Sequence, residues 1–234
     1  MGRIVAIAGG DLSSTRELNA HTIKLTNVKN PHVLFIGTAS HDANGYIEVI
    51  TKAFNLLECE VKSLCLCSKN YTEQEIDDLL AWADIIYVGG GDTIFMMQIW
   101  KQYGLDEKLK KIYEKDLAVL TGISAGAICW FQCGYSDSES FHDEENWNYC
   151  WADGMLDIFH MAYCPHYNEE GRNSFDERLC EKDLIGLAME NDTAFVENNG
   201  YQYFVRSNAN AKAFMITYKN EIMGKQDIEF RNSF

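Results

Sequence analysis

Leu120-Thr121-Gly122-Ile123-Ser124-Ala125-Gly126-Ala127-Ile128-Cys129-Trp130 reads as an apolar strand, a G-x-S-x-G turn and the start of a helix. A strand that turns abruptly into a helix holds one side chain at a strained, exposed crest, and small residues on both sides let the neighbouring backbone approach. The crest residue is Ser124. The N–H of the next residue, Ala125, opens the helix and faces the space above Ser124, where such a donor stabilises an oxyanion. Small residues at 124–126 would serve close helix-to-strand packing equally well, so the turn alone leaves a nucleophile and a plain corner both open.

The chain before this turn alternates short apolar runs with longer amphipathic ones, the pattern of βα units feeding a parallel sheet. Strands are expected at Ile4 to Ala8, His32 to Ile36, Glu60 to Leu66, Ile85 to Val88 and Leu117 to Leu120. Helices are expected at Thr15 to Thr26, Tyr46 to Leu57, Thr72 to Trp82, Thr93 to Gln102 and Asp106 to Lys115, the third opening on Thr72 and Glu75 in capping-box spacing. The apolar run Leu156 to Ala162 leads into Tyr163-Cys164-Pro165-His166. After about residue 190 the texture becomes period-2, at Thr193 to Glu197, Tyr201 to Val205, Ala213 to Tyr218 and Glu221 to Lys225, with Asn/Gly turns between. The fold class is α/β: three α/β/α layers around a mostly parallel sheet, with antiparallel hairpins appended to it at the C-terminal end. No repeat, low-complexity tract or linker divides residues 1–234, which read as a single domain.

Composition narrows the function. With 20 Lys+Arg against 35 Asp+Glu the formal net charge is −15, and the basic residues are scattered singly. Nucleic acid and anionic membrane are poor partners for such a chain, because phosphate neutralisation needs a basic face. Met1-Gly2-Arg3 runs straight into a strand-length apolar run, so neither a signal segment nor a spanning helix is expected, and the chain reads as cytoplasmic. The eight cysteines form no C-x-x-C pair and several sit in apolar runs, which suits buried reduced thiols.

Ser124 needs partners. Gly89-Gly90-Gly91-Asp92-Thr93 ends the preceding strand at the same carboxyl edge of the sheet, where open α/β sheets bind ligands, and could aim a backbone N–H at a reacting carbonyl. A phosphate-cradling loop or a tight turn is the competing reading of three glycines. Of six histidines, His166 is best placed as a base: Pro165 breaks its strand and leaves it at the edge that carries Ser124. A carboxylate should then orient the imidazole. Asp137, on the loop after the elbow helix, is preferred, with Glu139 as the alternative.

These residues resemble the dipeptidase E and cyanophycinase group of serine peptidases, peptidase family S51, whose fold is similar to class I glutamine amidotransferases (flavodoxin-like) with serine at the elbow. The matching pieces are Gly89-Gly90-Gly91-Asp92-Thr93, Gly122-Ile123-Ser124-Ala125-Gly126-Ala127 and Cys164-Pro165-His166-Tyr167. The resemblance implies Ser124 as nucleophile, His166 as general base, an acid on the loop after the elbow helix, and oxyanion donors at Gly91 and Ala125. It implies a small peptide substrate, including N-terminal aspartyl dipeptides, bound near Gly90 and Asp92, with no metal or organic cofactor. One departure bears on the substrate. Dipeptidase E reads its aspartyl side chain through an arginine downstream of the histidine, and the ungapped match here is Phe175, so Arg172 or Arg178 would have to substitute. The acidic and aromatic stretch His142 to Trp151 has no counterpart in that pattern and reads either as a lid or as a packed surface loop.

Two other classes remain compatible with the residues: an esterase of similar triad chemistry, and a non-catalytic binding module that keeps the elbow as a corner. The short stretch between Ser124 and His166 leaves room for only one or two βα units, which disfavours an α/β-hydrolase.

Overall fold

The computed structural model of the protein describes residues 2–142, 147–219 and 222–231. Its first sheet runs β1 (Arg3–Ile7), β2 (His32–Ile36), β3 (Glu60–Leu64), β4 (Ile85–Val88) and β5 (Val119–Ile123) as parallel strands in the order β1-β5-β4-β2-β3. The connecting helices are α1 (Arg16–Thr26), α2 (Asn44–Asn55), α3 (Glu73–Trp82), α4 (Thr93–Tyr103) and α5 (Leu105–Glu114). Thr72 and Glu75 close the capping box that their spacing predicts at the start of α3. Because side chains alternate along a strand, Val5 and Ile7 pack toward α1 and α2, while Ile4 and Ala6 pack toward α3, α4 and α5. Every residue of β4 is buried, the continuous apolar run expected of a parallel strand covered on both faces.

The elbow helix α6 (Ala125–Ile128) has only one turn, and the chain then enters a second sheet that the sequence reading did not foresee. Its strands are β6 (Phe131–Ser136), β7 (Cys150–Asp153), β8 (Phe159–Cys164), β9 (Gly186–Met189), β12 (Ala213–Lys219) and β13 (Ile222–Asp227), in the order β13-β12-β9-β8-β6-β7. Only β10 (Thr193–Asn198) and β11 (Tyr201–Arg206) extend the first sheet, antiparallel to β1. The expectation that both C-terminal hairpins join the main sheet is thereby corrected: β12 pairs with β9 instead. Phe131, Phe159, Tyr163 and Leu187 of the second sheet share one core with Ile4, Leu34 and Leu120 of the first. Stacking of the Phe131 and Tyr163 rings at 4.3 Å helps close that core. A short helix, α7 (Phe175–Arg178), covers the opposite face of the second sheet.

All eight cysteines are free, and six of them are buried. Burial pushes the thiols of Cys59 and Cys133 up to about 11 and that of Cys164 to about 12, so they stay protonated and inert. Among the described residues no helix is long and apolar enough to cross a membrane.

Candidate active site

Ser124 has φ 56° and ψ −117°, a conformation that L residues rarely adopt. Backbone bonds hold it there. Its N–H donates to the Ile7 carbonyl (3.1 Å), and its own carbonyl accepts from Ala127 N (2.8 Å) and Ile128 N (2.9 Å). The flanking glycines are required by close approach: a Cβ at Gly122 would collide with the Gly126 carbonyl, and one at Gly126 with the Val88 carbonyl. The elbow helix is therefore pressed against its own strand and against β4, with no room for a methyl group at either glycine. Ser124 itself is half-buried, and its Oγ takes no hydrogen bond from the described residues.

The glycine loop after β4 faces this crest. A Cβ at Gly90 would lie 3.2 Å from Ser124 Cβ, so the loop and the elbow form two walls of one crevice. The N–H of Gly90 donates to the Tyr46 hydroxyl (3.3 Å), while burial holds the Tyr46 phenol above its ordinary range. Gly91 has φ 134°, and a Cβ there would strike the Ala39 carbonyl. Neither the Gly91 nor the Ala125 N–H takes an acceptor from the described residues, which leaves the two expected oxyanion donors free. Asp92 is fully buried and caps α4, Oδ1 accepting from Phe95 N (3.1 Å). Its Oδ2 lies 3.0 Å from His142 Nε2, without an aligned hydrogen bond.

His166 follows β8 and also has a left-handed φ, 54°. Its ring lies against Gly9, at the end of β1, the strand whose Ile7 carbonyl holds Ser124; a Cβ at Gly9 would overlap both the ring and the Asn191 side chain. The imidazole Nδ1 donates to Asn191 Oδ1 (2.7 Å) and lies 3.1 Å from Glu169 Oε1. Asn191 Nδ2 donates in turn to Glu169 Oε1 (3.0 Å). Glu169 is drawn back onto His166 by a turn in which its N–H donates to the His166 carbonyl (2.8 Å). The hydrogen bond from His166, with a second from Asn191, holds the Glu169 carboxyl down to about 2, so it is ionised at neutral pH. Both Nδ1 partners sit on one side of the ring and leave Nε2 as the position for accepting a proton. No hydrogen bond joins Ser124 Oγ to His166 among the described residues; in sites of this kind that bond tightens when substrate is bound.

The other expected site residues lie elsewhere. Asp137, the preferred orienting acid, faces Arg172 Nη2 (3.6 Å) and does not contact His166. Glu139 is exposed on the turn Ser138–Phe141 and does not contact it either. The acid beside His166 is Glu169. It lies outside the stretch between Ser124 and His166 that holds Asp137 and Glu139, yet an acid three residues after His166 is a legible signal, since the turn returns it to the imidazole. Arg172 is buried, donates to the Tyr135 carbonyl (2.6 Å) and lies over the Tyr149 ring. Arg178 pairs with Glu181 (2.7 Å). Phe175 is wholly buried and packs on Tyr135 and Trp151. In the stretch His142 to Trp151, residues 143–146 lie outside the described residues; Trp151 is a strand residue in β7 and the Tyr149 hydroxyl donates to the Glu170 carbonyl (2.9 Å), so Tyr149 to Trp151 are packed structure, while His142 and Trp147 are exposed. His21 bonds the Tyr203 hydroxyl and His32 stacks on Trp82, both structural positions.

Residues 4–202 match the model of peptidase family S51. The uncharacterized peptidase YgaJ of Bacillus subtilis (strain 168) is 31% identical over 224 residues, covering 92% of each chain. The uncharacterized peptidase Lmo0363 of Listeria monocytogenes is 36% identical over 107 residues, covering 44% of this chain and 50% of that protein. Among solved structures, that of a peptidase from an acI-B1 Actinobacterium superposes with a TM-score of 0.72 at 20% identity, covering 100% of this chain and 96% of the other, which establishes the flavodoxin-like α/β fold. With the elbow, the glycine loop and the histidine turn all within the matched residues, the chain belongs to peptidase family S51 and is a serine-type peptidase.

Proposed function

We propose that the protein hydrolyses short peptides through an acyl-enzyme formed on Ser124, with His166 as the base and Glu169 as the acid that orients it. The observation that carries this reading is the shared footing of the two groups: Ser124 is bonded to the last residue of β1 and His166 packs on Gly9 just beyond it. Ser124 Oγ attacks the scissile carbonyl while His166 Nε2 accepts its proton, and the N–H groups of Gly91 and Ala125 receive the developing oxyanion. His166 then returns the proton to the leaving amine, and water, activated by the same nitrogen, releases the acyl group. Glu169 stays ionised and stabilises the imidazolium formed at each transfer.

The substrate's first residue, on this reading, is something other than aspartate. An aspartyl side chain calls for a guanidinium free to bind it bidentately. Arg172 is buried against Asp137 and Tyr135, Arg178 is paired with Glu181, and Phe175 occupies the core. The test is a hydrolysis screen of dipeptides and aminoacyl anilides varied at the N-terminal residue, with p-nitrophenyl esters alongside, for the wild-type protein and Ser124→Ala. Ser124-dependent cleavage of peptides without N-terminal aspartate is expected. Full activity in Ser124→Ala would remove the mechanism; selective cleavage of aspartyl peptides would remove only the substrate assignment, and preference for esters over every peptide would make the protein an esterase.

A further inference from the structure

We infer that Asn191 is a positioning residue of this site, whose side-chain amide fixes the tautomer of His166 and ties that ring to Glu169; the inference rests on the reading of His166 as the base. Asn191 stands in the turn between β9 and β10, far in sequence from the elbow and from His166. Its amide closes a triangle. Oδ1 accepts from His166 Nδ1 at 2.7 Å, Nδ2 donates to Glu169 Oε1 at 3.0 Å, and the same Oε1 lies 3.1 Å from Nδ1.

The directions of these bonds are mutually consistent in one arrangement. Nδ2 must face Glu169, because a carboxylate accepts only, and Oδ1 must then face the imidazole, which obliges Nδ1 to carry the proton. Nε2 is left with a lone pair, the form that can accept a proton from a serine hydroxyl. The shorter of the two contacts to Nδ1 is the neutral one, so Asn191 shares with Glu169 in setting the ring's direction. A neutral acceptor there fixes the proton without adding a second negative charge.

The turn that carries Asn191 is itself anchored to both sides of the site. Its backbone N–H donates to Asn168 Oδ1 (2.8 Å), on the same loop as His166 and Glu169. The next N–H, that of Asp192, donates to the Gly9 carbonyl (2.9 Å). Tyr167 N donates to the Met189 carbonyl (2.9 Å), joining the histidine loop to the strand that ends just before Asn191. Gly9 is needed for the same reason, since a Cβ there would occupy the space of Asn191 Oδ1 and His166 Nδ1 together.

The experiment measures kcat, KM and the pH profile of kcat/KM for Asn191→Ala and Asn191→Asp on a peptide that the wild-type protein cleaves, with Ser124→Ala as the control. Asn191→Ala is expected to lower kcat about 10- to 100-fold, the cost typical of losing a group that orients a site residue, with KM within about twofold. Asn191→Asp keeps an acceptor at Nδ1 but adds a carboxylate there. It is expected to recover part of kcat and to move the acid limb of kcat/KM upward by about one pH unit, because a facing negative charge favours the imidazolium. Nitrogen NMR of the wild-type imidazole, assigned by its loss in His166→Ala, is expected to show the Nδ1-protonated tautomer at high pH, and this reading needs no Asn191 variant to fold. The inference is overturned if Asn191→Ala keeps kcat within about twofold, if the limb of Asn191→Asp stays in place, or if wild-type His166 carries its proton on Nε2. Ser124→Ala separates the two failures: its full activity would remove the underlying reading as well, whereas an inactive Ser124→Ala beside wild-type-like Asn191 variants would sink this inference alone.

Discussion

Ser124 and His166 share a backbone peculiarity and differ in what sustains it. Both are non-glycine residues with a left-handed φ, 56° and 54°, an arrangement that costs about 1–3 kcal/mol and persists only where the surroundings over-determine it. At Ser124 the surroundings are main chain: the Ile7 carbonyl, two helix N–H groups, and the carbonyls of Val88 and Gly126 in contact with glycines. At His166 they are largely side chains, those of Asn191 and Glu169, backed by two backbone bonds of the same loop. The nucleophile's place is therefore insensitive to its own side chain and sensitive to the glycines around it. The base's orientation depends on polar side chains that the fold could lose without unfolding.

The largest effect that tests this contrast is on activity alone. Ser124→Ala removes the attacking oxygen and none of the backbone bonds, so turnover should fall by about four orders of magnitude or more. Denaturant unfolding of the same variant should stay within about 1 kcal/mol of wild type, since a surface or half-buried change that breaks no contact does little. A large loss of stability would mean that the serine side chain helps to hold the elbow after all. Next comes Gly126→Ala, where the contrast predicts the reverse. Its methyl group would meet the Val88 carbonyl, and overpacking against main chain costs about 1–3 kcal/mol or more. Unfolding midpoints should show the loss, with activity falling in whatever fraction folds; an undisturbed midpoint would show that the elbow can slide away from β4.

How far the sequence discloses this site follows the same division. The elbow is readable because its determinants are local: Gly122, Ser124 and Gly126 must be small in a fixed spacing whatever the rest of the chain does. The five parallel strands were readable for a similar reason, since strands buried on both faces are short apolar runs, as Ile85 to Val88 shows. The second sheet was hidden. Phe131 to Ser136 follows directly on a one-turn helix and looks like its continuation, although Phe131, Cys133 and Tyr135 alternate with Gln132, Gly134 and Ser136 as a strand requires. Asn191 was hidden for a different reason. Its role exists only because the turn after β9 is brought beside Gly9 and the turn after β8, and nothing in the neighbouring residues announces that meeting. Glu169, by contrast, lies within reach on the same turn as His166.

Glu169→Gln tests the acid. The amide keeps the size of the side chain and removes the charge that stabilises the imidazolium, so kcat should fall about 10³- to 10⁴-fold, as losing the acid of such a triad does, with little change in KM. The variant should also change the acid side of the stability profile. The Glu169 carboxyl is held at about 2 in the folded protein against 4.5 ordinarily, so between those values the unfolded chain binds more protons than the folded one. Its stabilisation is therefore complete above about 4.5 and lost as the pH falls toward 2. With the side chain 48% exposed, solvent screening keeps that share small. Urea midpoints from pH 5 to pH 2 should fall less steeply in the variant; identical slopes would mean that the ion pair with His166 contributes nothing to the folded state.

The smallest effect is expected at Asp137, and its smallness is the point. If the base is held by Glu169 and Asn191, removing the Asp137 charge should leave kcat/KM within about twofold of wild type, because its contact is with Arg172 and not with the imidazole. What changes is the packing of the second sheet. Arg172 is buried over the Tyr149 ring with its Nη1 on the Tyr135 carbonyl, and its Nε is already without a partner. Asp137→Asn would leave that guanidinium less compensated. Stripping a partner from a buried charge can cost about 3–5 kcal/mol, but a 3.6 Å pairing to a carboxylate that is 22% exposed retains only part of that, about 1 kcal/mol. Paired measurements of kcat/KM and thermal midpoint separate the two roles. A lowered midpoint with intact activity assigns Asp137 to the frame of the second sheet; a loss of activity as large as that of Glu169→Gln would return it to the orienting role and reverse the contrast drawn between the two halves of the site.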